Sequence, residues 1–421
     1  MDSGEQKNLV PAIRRGSSAI AHTPTERDDV HLQRMGKNPV LKRNFGMLSI
    51  FGFSCTILGT WEGLLGTFIR PLENGGSGGA VYAYIFAWIG TASIFVVLSE
   101  LSSMAPTAGG QYHWAAMLAS TKYQKFLSYI TGWWTVLGWQ TALASLAFLT
   151  GTTIQGAATL GNQQYDAQPW QGTLLVWAAL VFALLANLAG GKVLPRLESL
   201  TLVVHVLVFL HFSNGGGFAT QGLAWFVGMS SCAFALAGGD AAVHMSEEVE
   251  NASRVVPRVI LLSVLINGCL GFGMLITLLF CAFDPRDVIS SPTGYPFMAI
   301  FYEATNSRSG SLAMYSIVLI NYACSLIGMM AAASRQLWSF ARDKCVPGWH
   351  LWVQVSSARQ LPVHAIVLTV AYLSYLVIFI LLFCRHIKGD ITFTDDGKST
   401  AVNVSGGKLV WEPLRISRIV G

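Results

Sequence analysis

The chain has 421 residues, of which 52% are hydrophobic and only 12% charged, with a formal net charge of +5 and a mean hydropathy of +0.50. Soluble domains carry roughly 25% charged residues, so the composition excludes that class and reads as an all-α polytopic membrane protein. The basic excess sets orientation in such a chain and asks for no nucleic-acid partner. The seven cysteines form no CxxC pair and read as small core residues.

Residues 1–45 are polar and hold no apolar stretch of the signal-peptide kind, so they read as a disordered cytoplasmic arm. A membrane-spanning helix needs about 20 apolar residues. The sequence predicts such spans at 46–69, 80–103, 126–156, 171–190, 194–212, 219–238, 257–283, 311–333 and 363–384, with a polar tail over 385–421. The segment GGSGG (Gly75–Gly79) follows no strand and reads as an outer turn. With the N-terminus inside, the arm and inner loops hold 18 Lys and Arg, against Arg70, Arg286 and Arg308 outside. Nine spans then place the tail outside, although it carries six basic residues. The sequon at Asn251 falls on the inner side and should be silent, while Asn403 in the tail is a glycosylation candidate.

Two spans are interrupted. The first, GMLSIFGFSCTILGTWEGLLGTF, contains Gly52, Ser54, Thr56, Gly59 and Thr60, and it carries Glu62 inside the apolar run. The sixth runs as GLAWFVGMSSCAFALA into Gly238, Gly239 and Asp240, followed by His244, Glu247 and Glu248. Glycines weaken a helix, and a carboxylate at membrane depth is costly. Discontinuous helices are tolerated where their freed backbone groups line a cavity. The candidate substrate contacts are therefore Thr56, Gly59, Thr60 and Trp61 at the first break, and Phe234, Gly238, Gly239 and Asp240 at the second. Glu62 and His205, ionisable groups within spans, are the candidates for coupling. Each has a plainer reading. Small and hydroxyl residues pack helices, Asp240 can cap the second half-helix, Glu62 can sit at the wet outer edge, and His205 can be an interior hydrogen-bonded histidine. His244, Glu247 and Glu248 share one helical face at a metal-binding spacing, but no further ligands accompany them. No metal or cofactor is expected. No nucleophile–base set stands out either, so an enzyme is not expected.

Four stretches carry a resemblance: FSCTILGTWEG (Phe53–Gly63), SELSSMAPTAGGQYHW (Ser99–Trp114), GGDAAVHMSEEVENASRVVP (Gly238–Pro257) and SRQLWSFARDKCVP (Ser334–Pro347). Through them the chain resembles the amino acid–polyamine–organocation superfamily, and most closely the fungal amino-acid, GABA and choline permeases, from about Phe45 to Phe383. The resemblance implies a five-plus-five inverted-repeat fold, alternating access, proton-coupled uptake and a place in the plasma membrane. The chain departs from the family pattern after Leu210, where a piece of the fifth helix and its outer loop is missing. It departs again where LPVHAIVLTV runs into AYLSYLVIFILLF, as if the ninth and tenth helices were shortened and fused. Losing one span in this way turns the tail outward. The function expected is secondary active transport of amino acids or related amines, as small-molecule substrates, across the lipid bilayer. The alternatives are a choline or polyamine permease, and a shortened membrane protein that senses or is silent rather than transports.

Overall fold

The structure is a computed structural model that describes residues 24–67, 69–162, 164–189, 220–281, 293, 295–356 and 360–371. The described residues form helices joined by short connections, with a single isolated parallel bridge between Phe45 and Val249. In chain order the helices are α1 (Pro24–Arg34), α2 (Met47–Leu58), α3 (Thr60–Thr67), α4 (Ile69–Met104), α5 (Gln111–Leu118), α6 (Gln124–Gly161) and α7 (Pro169–Ala189). After residues 190–219 come α8 (Gln221–Ala235), α9 (Ala241–His244), a 3₁₀ turn (Ser246–Glu248), α10 (Ala252–Cys281), α11 (Pro296–Thr305), α12 (Arg308–Arg342) and α13 (Trp349–Trp352). A further helical run covers 363–371.

Six of these helices are long and apolar enough to cross a membrane: Met47–Thr67, Arg70–Met104, Gln124–Gly161, Pro169–Ala189, Ala252–Leu279 and Arg308–Arg342. They occupy the places of the first four predicted spans and of the seventh and eighth. The predicted sixth span is shorter than expected, because α8 stops at Ala235 and its apolar part is only Trp225–Ala235. The predicted fifth span, with His205, and most of the ninth, with Asn403 beyond it, lie outside the described residues.

Helices in lipid gain little from burying apolar surface against each other, so close packing through small residues has to hold them together. That is how α10 meets α3 and α4. A Cβ on Gly268 would lie 1.9 Å from the Trp88 ring, and one on Gly271 would lie 2.4 Å from both Thr60 and the Tyr84 hydroxyl. The gaps let Trp88 Nε1 donate to the Val264 carbonyl and Tyr84 Oη donate to that of Gly268, each at 2.9 Å. On the other side of the molecule α6 packs on α12, where Gly132 takes the Phe340 ring. Helices α2 and α3 sit between these groups, touching α10 on one side and α12 on the other.

Two local readings of the sequence are corrected here. The arm has structure from residue 24 onward. Helix α1 docks with Leu32 buried, Arg43 lies 2.5 Å from Asp29, and Asp28 Oδ2 accepts the Asn251 N–H at 2.7 Å. A polar composition hides this because the partners of the arm, Val249, Asn251 and Asp343, come more than 200 residues later in the chain. The GGSGG segment is no outer turn. It lies inside α4, where only Gly76, at φ 62 and ψ −170, leaves helical geometry and kinks the run. Of the cysteines taken as core residues, Cys232 is buried but Cys269 is exposed.

Candidate functional site

The break in the first span is a single residue. Gly59 adopts φ 37 and ψ 44, a left-handed conformation that costs glycine little. Its N–H still reaches the Cys55 carbonyl, and its own carbonyl accepts the Gly63 N–H at 2.8 Å as α3 begins. The Thr56 carbonyl, released at the end of α2, accepts Ser325 Oγ of α12 at 2.6 Å. The second break is longer. Helix α8 closes with tight bonds from Leu236 N–H to the Ala233 carbonyl and from Ala237 N–H to that of Phe234. Gly238 then takes φ 99, a region in which a side chain is strained, before α9 starts at Ala241.

Both breaks open onto one cavity of about 280 Å³. Ile57, Leu58, Gly59, Glu62 and Gly63 wall it from α2 and α3, and Phe234, Ala235, Ala237, Gly238 and Asp240 from the second break. Helix α6 adds Trp139 and Thr135, and α12 adds Tyr322, Ser325 and Met329. The wall thus holds two carboxylates and two hydroxyl-bearing residues of α12, while among the described residues neither Lys nor Arg reaches it.

Of the residues singled out in the sequence, Gly59, Glu62, Phe234, Gly238 and Asp240 line this cavity. Thr56, Thr60, Trp61 and Gly239 stand behind it. The Thr56 hydroxyl is turned back on the Gly52 carbonyl at 2.9 Å, Thr60 is fully buried against Gly271, and Trp61 packs on the core. Gly239 receives the ring of Phe95. The lining contribution of α6 and α12 was not legible, because Trp139 lies in an unbroken helix. The only signal on α12 was the cluster of Asn321, Tyr322 and Ser325 within an apolar run.

Glu62 does not sit at a wet edge. Only 5% of it is exposed, and its Oε2 has no hydrogen-bond partner among the described residues. Asp240 stands at the N-cap of α9 but its side chain makes no capping bond. Its Oδ2 instead accepts Gln111 Nε2 at 2.6 Å and lies 3.7 Å from His244 Nε2.

Below the cavity, the three remaining motifs of the sequence meet in one polar layer. Glu247 takes Arg342 in a two-pronged pair at 2.8 and 2.6 Å, and it also accepts the Ala108 N–H at 3.1 Å. Glu248 takes Arg335 at 2.7 Å, and its backbone carbonyl accepts the N–H groups of Asn44 and Phe45. The Arg342 guanidinium also stacks 4.5 Å from the Trp338 ring. Both glutamates are therefore committed to arginines, which accounts for their spacing. Tyr112 donates to Asp343 at 2.8 Å, and Asp343 also pairs with Lys37 of the arm. Burial first, and then the Asp343 charge, hold the Tyr112 phenol well above its ordinary value, so it stays a donor.

Comparison with known proteins agrees with this picture. Residues 45–406 match the profile of the amino acid permease family. A Macrophomina phaseolina protein named as an amino acid/polyamine transporter is 29% identical over 76% of this chain and 76% of its own length. The choline transporter of Saccharomyces cerevisiae is 28% identical over 79% of this chain, which spans 63% of that protein. Amino-acid permease 2 of Neurospora crassa is 26% identical over 83% of this chain and 69% of its own length. The profile runs through both interrupted helices and the polar layer beneath them, and the chain belongs to the amino acid permease family, within the amino acid–polyamine–organocation superfamily of multi-pass membrane proteins.

Proposed function

We propose that the chain is a secondary active transporter that moves amino acids or related amines by alternating access, with the cavity between the two breaks as its substrate site. The observation that carries this reading is that Gly59 and Gly238, in helices far apart in sequence, line the same cavity. Paired breaks of this kind support a five-plus-five inverted repeat with the site at its centre. The volume of about 280 Å³ sits at the small end of ligand pockets and suits a small metabolite. The start of α3 at Thr60 offers a helix N-terminus to a substrate carboxylate, while Glu62 and Asp240 suit an ammonium group.

The choline or polyamine reading has one observation in its favour: among the described residues the wall carries acids and the aromatic rings of Trp139, Phe234 and Tyr322, but no side-chain cation. Such a wall fits an organic cation as well as a zwitterion. Proton coupling and a plasma-membrane location complete the proposal and rest on the family likeness. The test is uptake by the full chain in liposomes, using labelled amino acids, choline and putrescine in turn. Saturable uptake of at least one probe, competed by its unlabelled form, is expected. Correctly inserted protein that takes up none of them would overturn transport and leave the silent or sensing form of the protein.

A further inference from the structure

We infer that Asp240 and His244 form a proton-binding pair that ties protonation to the position of the second broken helix; this rests on the transport reading above and supplies its coupling site. His244 is fully buried, and its two ring nitrogens have different surroundings. Nδ1 lies 3.0 Å from the Ala108 carbonyl, which can only accept, so Nδ1 carries a hydrogen and donates it. In the neutral ring, Nε2 is then a bare acceptor. It has no hydrogen-bond partner and faces Asp240 Oδ2, a second acceptor, at 3.7 Å. A fully buried acceptor facing a partly buried one leaves an interaction unmade, and one proton completes it. A proton arriving through the cavity, which Asp240 lines, binds Nε2. It converts the ring to imidazolium and forms an N–H···O bond to the Asp240 carboxylate; release reverses the same step.

The setting leaves few competing charges. Arg342 and Arg335 of α12 are occupied by Glu247 and Glu248. Glu62 of α3 faces Asp240 across the cavity, and Tyr112 and His113 of α5 lie beyond Gln111, with Tyr112 held by Ser339 and Asp343. Helix α2 offers only Cys55, Arg254 and Arg258 of α10 are exposed, and α6 contributes Trp139, whose ring edge closes on the imidazole at 5.3 Å. The pair belongs to the broken helix, but Ala108 and Gln111, which hold it, come from the connection after α4 and the start of α5. Any displacement of one against the other removes the acceptor on Nδ1 and the donor on Asp240 together. Proton affinity and conformation are thereby linked, as coupling requires.

The test uses the full chain in lipid nanodiscs with ¹⁵N-labelled histidine, one of nine being His244, identified as the signal lost in His244→Gln. As the pH is lowered, the His244 ring is expected to pass from the Nδ1–H tautomer to imidazolium. Asp240→Asn is expected to move that midpoint down by about one to three pH units, because the opposing charge is gone. A ring that stays neutral throughout, or a midpoint that Asp240→Asn leaves in place, overturns the pair. For coupling, counterflow of labelled amino acid, choline and putrescine is measured over the same pH range. The rate should change several-fold across the wild-type midpoint and follow a flat profile in His244→Gln. A wild-type rate indifferent to pH overturns the coupling role. A titrating His244 in a protein that exchanges no probe overturns the transport reading instead.

Discussion

The two glycines of the second break hold it for different reasons, and substitution can separate them. Gly239 has an ordinary φ, but a Cβ there would lie 1.9 and 2.4 Å from two carbons of the Phe95 ring, and Phe95 is itself buried. Contacts that short cannot persist, so Gly239→Ala must displace the ring by about an ångström or more, an overpacking that costs about 1–3 kcal/mol. At Gly238 a Cβ would lie 3.2 Å from Ile57 Cγ2, a tight contact that a small shift of that methyl relieves, but its φ of 99 strains any side chain. Gly238→Ala should cost a similar ~1–3 kcal/mol through the backbone. The two differ in rescue. Phe95→Leu vacates the space that Gly239→Ala needs, so the double variant should regain about 1 kcal/mol or more of the loss, a coupling expected only between residues in contact. Trimming Ile57 to Ala, which removes the Cγ2 methyl, should leave the backbone part of the Gly238→Ala loss in place. The assay is the midpoint of heat inactivation of purified full-length protein, read as monodisperse protein remaining after heating. Substrate binding should fall in both alanine variants while membrane insertion persists. A Gly239→Ala protein as stable as wild type, or one that Phe95→Leu does not help, would refute the claim that the Phe95 ring occupies the break.

Three further outcomes are expected. Glu62→Gln keeps the shape of a buried side chain but removes its charge, so uptake of an amine probe should weaken roughly tenfold to a hundredfold, the worth of one charged hydrogen bond; unchanged uptake would return Glu62 to a packing role. Glu248→Gln leaves the buried Arg335 without a counter-charge and should destabilise by about 3–5 kcal/mol, whereas replacing both partners with Met should cost much less than the two single changes together; heat inactivation measures both. If the tail is translocated, Asn403 should carry glycan in a eukaryotic host, seen as a glycosidase-sensitive mass shift lost in Asn403→Gln; a tail labelled only from the cytoplasm would refute the odd number of spans.

What was legible in the sequence followed from local chemistry. Gly59 and the Gly238–Asp240 run announce themselves, because glycine and carboxylate are costly within an apolar helix and are tolerated there where they line a cavity. Both breaks do meet at one cavity. Length and apolarity alone located six long helices. The remainder depends on residues that are neighbours only once the chain has folded. Trp139, Tyr322 and Ser325 complete the cavity from helices that continue without interruption, so nothing local marks them. Asp240 looks like a helix cap by position, yet its carboxylate is drawn away by Gln111, 129 residues earlier. The arm looks unstructured because the bridge from Phe45 to Val249 and the bond from Asn251 to Asp28 lie far outside any local window.

The polar layer below the cavity explains why the most specific motifs sit away from the cavity itself. A buried carboxylate at this depth is tolerated only with a partner. Glu247 and Glu248 follow the broken helix directly, so their arginines on α12 fix where α9 ends. The same glutamates accept Ala108 N–H and, through the Glu248 carbonyl, the arm at Asn44 and Phe45. Three segments distant in sequence thereby set the position of the four residues Ala241–His244, and with them the side chain of Asp240 at the cavity floor. A movement that parts Glu247 from Arg342 has to carry Asp240 with it, because only one turn of helix separates them. The layer is thus joined mechanically to the cavity. Both of its ion pairs are buried, and that of Glu247 with Arg342 is two-pronged, so parting α9 from α12 on this side costs their desolvated charge contacts.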